Sequence, residues 1–359
     1  MPVSLSLRRA AHAASTAGTS TLFALFAWLC AGCSAPISTP TPPAASATLI
    51  NQGRDGMLVP LHVERSDLGH ARLGVPAQVD GKAVYLMFDT GTRGLRVLRS
   101  TLPRSDYPVA GSRTSLSFAT GAQASGAVVT LPFSVAGTRP VELAAQAVDD
   151  VHCMPGAKRC VASDGYTGEL GWAFSGLLGA AADAPGDTCC TQPLRALPAH
   201  IGERYIVHAD LQRPYLLLSP SNAVATGFTM LPLAAQADRS LQWPTGCVQV
   251  ADKMRFCAPV VFATGGMGMV RIETDKAPDW VGDADTNQVL KQGNYDVLLG
   301  VGPWRHRFDG AQVVIAKTQP GANRIVIGLM ALQNIDLLFD FTNAQLGIRA
   351  ARDAEAIGS

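Results

Sequence analysis

The sequence predicts an all-β protein with two lobes that are built from related halves of the chain. Charged residues are only 16% of the 359 residues and glycines number 35, a composition that suits strands and turns better than helical bundles. Strand signals run from Leu58 onward, whereas helical signals are few. One strand-turn-strand pattern also occurs twice, as YLMFDTGTRGLRVL (Tyr85–Leu98) and VVFATGGMGMVRI (Val260–Ile272).

The chain begins with the features of an export signal, predicted to span residues 1–32. Basic residues near the start are followed by LFALFAWLC (Leu22–Cys30), an apolar stretch of export-signal length. The sequence CAGC (Cys30–Cys33) resembles the lipobox of bacterial lipoproteins, in which the second cysteine is lipidated and becomes the new N-terminus. Cys30 departs from that pattern, which prefers leucine. An ordinary signal peptide cut after a nearby small residue is the alternative.

A tether and two halves are predicted after the signal. Residues 33–50 are rich in proline, serine, threonine and alanine and are expected to form a disordered tether. The first half, residues 51–222, contains a hairpin around Asp80-Gly81, the Asp89 turn and a second hairpin within Thr114–Gly137. It continues with FSGLLGAA (Phe174–Ala181) and closes with the strand pair of Tyr205–Leu218.

The second half, residues 223–359, repeats this order of elements. A hairpin between Cys247 and Cys257 precedes the Ala263 turn, and RIVIGLMAL (Arg324–Leu332) and DLLFDFTNAQLGIRA (Asp336–Ala350) follow. The best helical signal in the chain is LMALQNID (Leu329–Asp336). Because 174 residues separate the two turns, each repeat unit has the size of an ordinary domain.

Six cysteines follow Cys33, and an even number in an exported chain predicts disulfides. Local spacing predicts the bridges Cys153–Cys160 and Cys247–Cys257, while the adjacent Cys189 and Cys190 form a vicinal bridge or remain free. Zinc is not predicted, because this part of the chain contains no paired C-x₂-C motifs and no H-E-x-x-H motif. We expect neither a metal nor a cofactor.

The overall charge argues against nucleic acid as a partner. Lysine and arginine total 29 against 28 acidic residues, so no basic surface is predicted. No apolar run reaches the roughly 18–20 residues of a membrane span. We therefore expect a monomer that contacts the membrane only through a lipid anchor at Cys33.

The motifs together resemble the pepsin-like, two-lobed aspartic proteases. FDTGT, the later GLLG, a second TGG turn and the closing IGLMALQNIDLLFDFTNAQLGI carry the resemblance, which covers roughly Leu58 to Ala350. The DTG-x-x-GLR form is more similar to bacterial exported proteins than to animal pepsins. The resemblance implies two pseudo-symmetric β-barrel-like lobes with a cleft between them, and one catalytic aspartate from each lobe.

The resemblance places the catalytic groups in the two turns. Two carboxylates in such a site share one proton, because like charges about 3 Å apart cannot both ionise. Asp89 matches the first aspartate, but Ala263 occupies the position of the second. The supporting residues implied by the resemblance are Thr90, Gly91, Thr92, Thr264, Gly265 and Gly266. Gly266, in the second turn, lacks the hydroxyl that Thr92 supplies in the first. Because Asp89 has no carboxylate partner, Asp89→Ala is expected to change the stability of the protein little.

The resemblance also implies a flap, a hairpin that covers the cleft. Here SLSFATG places Phe118 where the family carries a tyrosine, with Thr120 and Gly121 beside it. A phenyl ring covers a cleft but cannot donate the tyrosine's hydrogen bond. Phe118 is alternatively an ordinary strand residue.

Three functions remain open at this point. The first is a catalytically impaired lipoprotein on the periplasmic side of the bacterial outer membrane that binds an extended peptide or an envelope component. The second is an active aspartic endopeptidase with an unaligned second carboxylate, or an engineered Asp-to-Ala form of such an enzyme. The third is a structural envelope lipoprotein without a ligand.

Overall fold

The chain is nearly all β, as predicted from the sequence. The computed structural model describes residues 52–53, 55–65, 70–118, 121–155, 160, 173–182, 189–235, 241–266, 268–281 and 289–351. The predicted signal segment and the tether lie outside these residues. No helix among them is long and apolar enough to cross a membrane.

Among the described residues, the first half of the chain contributes twelve strands. They are β1 (Gln52–Gly53), β2 (Gly56–Pro60), β3 (His62–Arg65), β4 (Ala71–Val79), β5 (Lys82–Asp89), β6 (Arg93–Leu98), β7 (Val109–Ser117), β8 (Ala122–Val135), β9 (Val141–Cys153), β10 (Gly176–Ala180), β11 (Arg204–His208) and β12 (Tyr215–Leu218). Short 3-10 turns lie at Arg99–Thr101 and Pro198–His200.

The second half contributes the remaining strands and one helical turn. They are β13 (Thr229–Pro232), β14 (Ala234–Ala235), β15 (Leu241–Gln242), β16 (Thr245–Val250), β17 (Met254–Ala263), β18 (Val270–Thr274), β19 (Val289–Val301), β20 (Trp304–Lys317), β21 (Arg324–Gly328), α1 (Leu329–Leu332), β22 (Ile335–Asp340) and β23 (Gln345–Ala350).

Two of the sheets share an order of six strands. The N-terminal sheet runs β3-β4-β5-β10-β6-β9-β8-β7, and an additional pairing of β4 with β8 joins the two ends of its six inner strands. The C-terminal barrel closes in the order β16-β17-β21-β18-β20-β19. In each, the strand before the turn pairs in parallel with a later strand, β5 with β10 and β17 with β21. The repeated sequence pattern therefore corresponds to a repeated topology.

A third sheet, which we call the shared sheet, combines strands from both halves. Its order is β1-β2-β12-β11-β22-β23-β13. The central contact is antiparallel pairing of β11 with β22, from Arg204 opposite Asp340 to His208 opposite Asp336. All six residues of β22 and all four of β12 are buried. One continuous hydrophobic core extends from this sheet into the N-terminal sheet and the C-terminal barrel.

Local turn chemistry explains the first hairpin. Val79 pairs with Lys82, so Asp80 and Gly81 form a two-residue turn between β4 and β5. Their φ angles of 48° and 76° are the left-handed values that such a turn requires and that Asp-Gly adopts readily. The hairpin predicted from Asp80-Gly81 is confirmed, as are the β7–β8, β11–β12 and β16–β17 hairpins.

Candidate functional site

The two predicted turns lie at the ends of buried central strands. Asp89 is the last residue of β5 and stands opposite Gly179 of β10, while Ala263 is the last residue of β17 and stands opposite Gly328 of β21. Parallel strands covered on both sides are apolar along their length, which explains the runs before each turn. Asp89 and Ala263 are each only 7% exposed.

Two threonines join the turns reciprocally. The amide of Thr90 donates to Oγ1 of Thr264, and the amide of Thr264 donates to Oγ1 of Thr90, both at 3.1 Å. The Thr90 hydroxyl donates to the carbonyl of Phe262 at 2.5 Å, and the Thr264 hydroxyl to that of Phe88 at 2.8 Å. Both side chains are fully buried. These four bonds relate the two turns by a local pseudo-twofold arrangement, which fixes the position of residue 89 relative to residue 263.

The Asp89 carboxylate accepts hydrogen bonds from both turns. Oδ1 accepts the amides of Gly91 at 2.8 Å and Gly265 at 2.9 Å, and Oδ2 accepts the hydroxyl of Thr92 at 3.0 Å. A Cβ atom added at Gly265 would overlap the carboxyl carbon of Asp89. Glycine is therefore required at this position, because only a bare backbone can approach the carboxylate this closely.

Ala263 faces the first turn with a methyl group. A Cβ added at Gly91 would overlap the Cβ of Ala263, so the two turns touch at this point. Gly266 donates its amide to the carbonyl of Ala263 and accepts the amide of Leu329, which ties the second turn to α1. The site therefore presents a single carboxylate from the two turns.

The carboxylates that follow Ala263 in the sequence form hydrogen bonds with other residues of the second half. Glu273 accepts hydrogen bonds from Arg271 at 2.8 Å and from Arg324. Burial would raise the pKa of Glu273, but the two arginines outweigh it and hold that pKa below its usual range. Asp275 accepts from the amide of Gly321 and the side chain of Asn323, both at 3.1 Å. Both carboxylates are therefore engaged by residues of the second half.

Arg72 is a charged residue of the site that the sequence interpretation missed. Gly74 pairs with Met87 across the β4–β5 hairpin, so the same register places Arg72 across from Asp89. Arg72 is 5% exposed. Burial lowers the pKa of Arg72 to about 10, and the negative charge of Asp89 acts in the opposite direction. Extending the hairpin register outward from the Asp80-Gly81 turn would have predicted that Arg72 lies across from Asp89.

These contacts change the expected effect of Asp89→Ala, which the absence of a carboxylate partner had suggested would be small. The substitution removes the acceptor of three donors and the negative charge beside a buried arginine. We expect a loss of about 3 kcal/mol in the free energy of unfolding, measured by urea denaturation. Asp89→Asn keeps a carbonyl acceptor and should lose less. Equal stability of Asp89→Ala and the unmodified protein would contradict the structural role of the carboxylate.

Two of the predicted flap residues, Phe118 and Gly121, lie between β7 and β8. The amide of Gly121 donates to the carbonyl of Phe118 at 2.9 Å, which closes the hairpin tip. Thr120 lies outside the described residues. The half-buried Phe118 ring packs against two small apolar clusters, one with Met87 and Phe174 and the other with Leu98. Phe118 follows the last residue of β7, and its ring packs against the side chains of both clusters.

The cysteines form three bridges in the structure, Cys153–Cys160, Cys189–Cys190 and Cys247–Cys257. Cys247 stands directly opposite Cys257 in the β16–β17 ladder. Cys33, the predicted lipidation site, lies outside the described residues. Across the ranges given above, the structure brings together no group of three acidic, histidine or cysteine residues that could hold a metal.

No protein-family model matches this chain, and no curated protein matches it. Functional conclusions therefore depend on the geometry of the paired turns.

Proposed function

We propose that this chain is an exported, pepsin-like binding protein that lacks peptidase activity and holds an extended peptide in a cleft between two lobes. One observation carries the proposal: the two turns are joined reciprocally through Thr90 and Thr264, yet only Asp89 supplies a carboxylate. The joined turns support the pepsin-like fold. The missing carboxylate argues against its chemistry.

The chemistry requires two groups that exchange one proton. One carboxylate acts as base towards a water molecule while the protonated partner polarises the peptide carbonyl. The methyl group of Ala263 can neither donate nor accept a proton.

Strand-like pairing is the mode of binding that this architecture favours. β7 is the outermost strand of the N-terminal sheet and pairs with β8 on one side. An outer strand offers backbone donors and acceptors to an added strand, and pockets for alternate side chains give selectivity. Anchoring through a lipidated Cys33 on the periplasmic side of the outer membrane belongs to the same proposal and rests on the sequence pattern.

Oxidised insulin B chain, an unstructured peptide, is a suitable probe. We expect the purified protein to bind the dye-labelled peptide, measured by fluorescence anisotropy, and to leave it uncleaved at acid pH, measured by mass spectrometry. Phe118→Ala should weaken binding by about tenfold, since a large apolar contact is lost. Val289→Ala, which truncates an exposed apolar side chain on β19, is the control and should have no effect.

Two results would overturn the proposal. Cleavage that pepstatin inhibits would identify an active endopeptidase. Absence of binding, or equal weakening by Phe118→Ala and Val289→Ala, would remove the peptide-binding function.

A further inference from the structure

A shallow trough with two arginines lies on the outer surface of the C-terminal barrel and is lined by none of the residues of the paired turns. Its volume is about 380 Å³. The lining comes from β16, β17, β19 and β20 and includes Cys247, Arg255, Leu298, Gly300 and Arg305.

The strand register brings the two guanidinium groups to neighbouring positions. Cys247 stands opposite Gly300, and Gly300 stands opposite Arg305. Nη2 of Arg255 lies 3.9 Å from Sγ of Cys247. A Cβ added at Gly300 would lie 3.0–3.1 Å from Cδ, Nε and Cζ of Arg305, so the Arg305 side chain lies across this glycine. Directly paired residues have Cα atoms about 5 Å apart, and the guanidinium groups therefore converge on one row of the barrel.

Neither arginine is neutralised within the part of the chain that the structure describes. Nη1 of Arg305 donates to the carbonyls of Gly302 and Trp304, which orient the group without cancelling its charge. Arg307, one row further along, differs because it forms ion pairs with Asp296 and Asp309. Two adjacent positive charges without a carboxylate repel each other, and a bound anion would relieve that repulsion.

An apolar side chain adjoins the charges. Leu298 lines the trough, stands opposite Arg307 in the ladder, and is 47% exposed. Guanidinium groups bind phosphate oxygens through paired N–H donors. We propose that this trough binds a phosphate group, and that the exposed leucine favours phosphate carried on an amphiphile such as an anionic phospholipid over the free ion.

Isothermal titration of the full chain tests the site with three probes: inorganic phosphate, dihexanoyl phosphatidylglycerol and dihexanoyl phosphatidylcholine. The short lipids are used as monomers, so an acyl anchor on the protein does not contribute. We expect phosphatidylglycerol to bind at least tenfold more tightly than phosphatidylcholine. The double variant Arg255→Gln/Arg305→Gln should lose at least tenfold in affinity, because two charge-assisted contacts are removed.

Two further variants separate the possible outcomes. Arg307→Gln removes a neighbouring but ion-paired charge and should change affinity less than twofold. Leu298→Ser should weaken phosphatidylglycerol binding while leaving inorganic phosphate unaffected. Binding of inorganic phosphate as tight as that of phosphatidylglycerol would support the anion site but overturn the preference for an amphiphile. No binding of either probe, or equal losses in Arg307→Gln and the double variant, would overturn the site.

Discussion

Asp336→Ala is expected to lower the free energy of unfolding by about 3–5 kcal/mol. Asp336 is fully buried in the shared sheet, where Oδ1 lies 2.7 Å from Nδ1 of His208 and Oδ2 accepts Nε of Arg349 at 2.9 Å. His208 is 2% exposed and Arg349 6%. Removing the carboxylate leaves the charge of a buried arginine without compensation and the buried histidine without its partner, which costs far more than the pair itself contributes.

The effect should extend to the segment between the two halves. Arg349 donates to the carbonyls of Val224 at 3.0 Å and Thr226 at 3.3 Å, and its guanidinium lies 4.1 Å from the ring centroid of Phe228. Asp336 orients that arginine and therefore holds the connecting segment against β23. Hydrogen exchange of residues 224–228 should accelerate in the variant.

The matched control is an exposed ion pair in the same protein. Asp296 is 53% exposed beside Arg307, so Asp296→Ala should cost less than about 1 kcal/mol. Urea unfolding followed by circular dichroism measures both variants. Equal losses for Asp336→Ala and Asp296→Ala would show that the buried network does not stabilise the shared sheet.

Ala263→Asp is expected to create a coupled pair of carboxyl groups. The Cβ of Ala263 already contacts the Asp89 turn at Gly91, so a carboxylate at residue 263 would lie within a few ångströms of the one at residue 89. Two carboxyls at that separation lose their protons in two macroscopic steps, with one pKa of the pair raised. NMR titration of the carboxyl carbons measures these steps. Ala263→Asn, which has the same shape without the charge, should lack the second step.

Acid peptidase activity should accompany the new carboxyl pair. A positioned acid and base contribute about 10²–10⁴-fold to rate, and we expect the lower end of that range over the background of the unmodified chain. Phe118 supplies no hydroxyl to the cleft, and Gly266 supplies no hydroxyl to orient the new carboxylate. Identical titrations of Ala263→Asp and Ala263→Asn would show that the two turns do not meet.

The sequence predicted the local elements well because local chemistry determines them. Asp80-Gly81 specifies its hairpin, and the apolar runs before Asp89 and Ala263 specify buried strands. Arg72 was missed because the hairpin register was not followed outward to Asp89. The Asp336–His208–Arg349 network could not be predicted from local patterns, since His208 and Asp336 are 128 residues apart and nothing near either residue encodes their pairing.

The shared sheet has a consequence for how this chain acquires its structure. β11 lies between β12 and β22 in the sheet, whereas β13 to β21 come between β12 and β22 along the chain. A chain that emerges N-terminus first can therefore complete the N-terminal sheet early, but one edge of β11 stays open until β22 has been synthesised. Closing so long a loop makes this step slow. Until then the apolar faces of β11 and β12 are available for aggregation, so this protein depends on β22 for solubility as well as for stability.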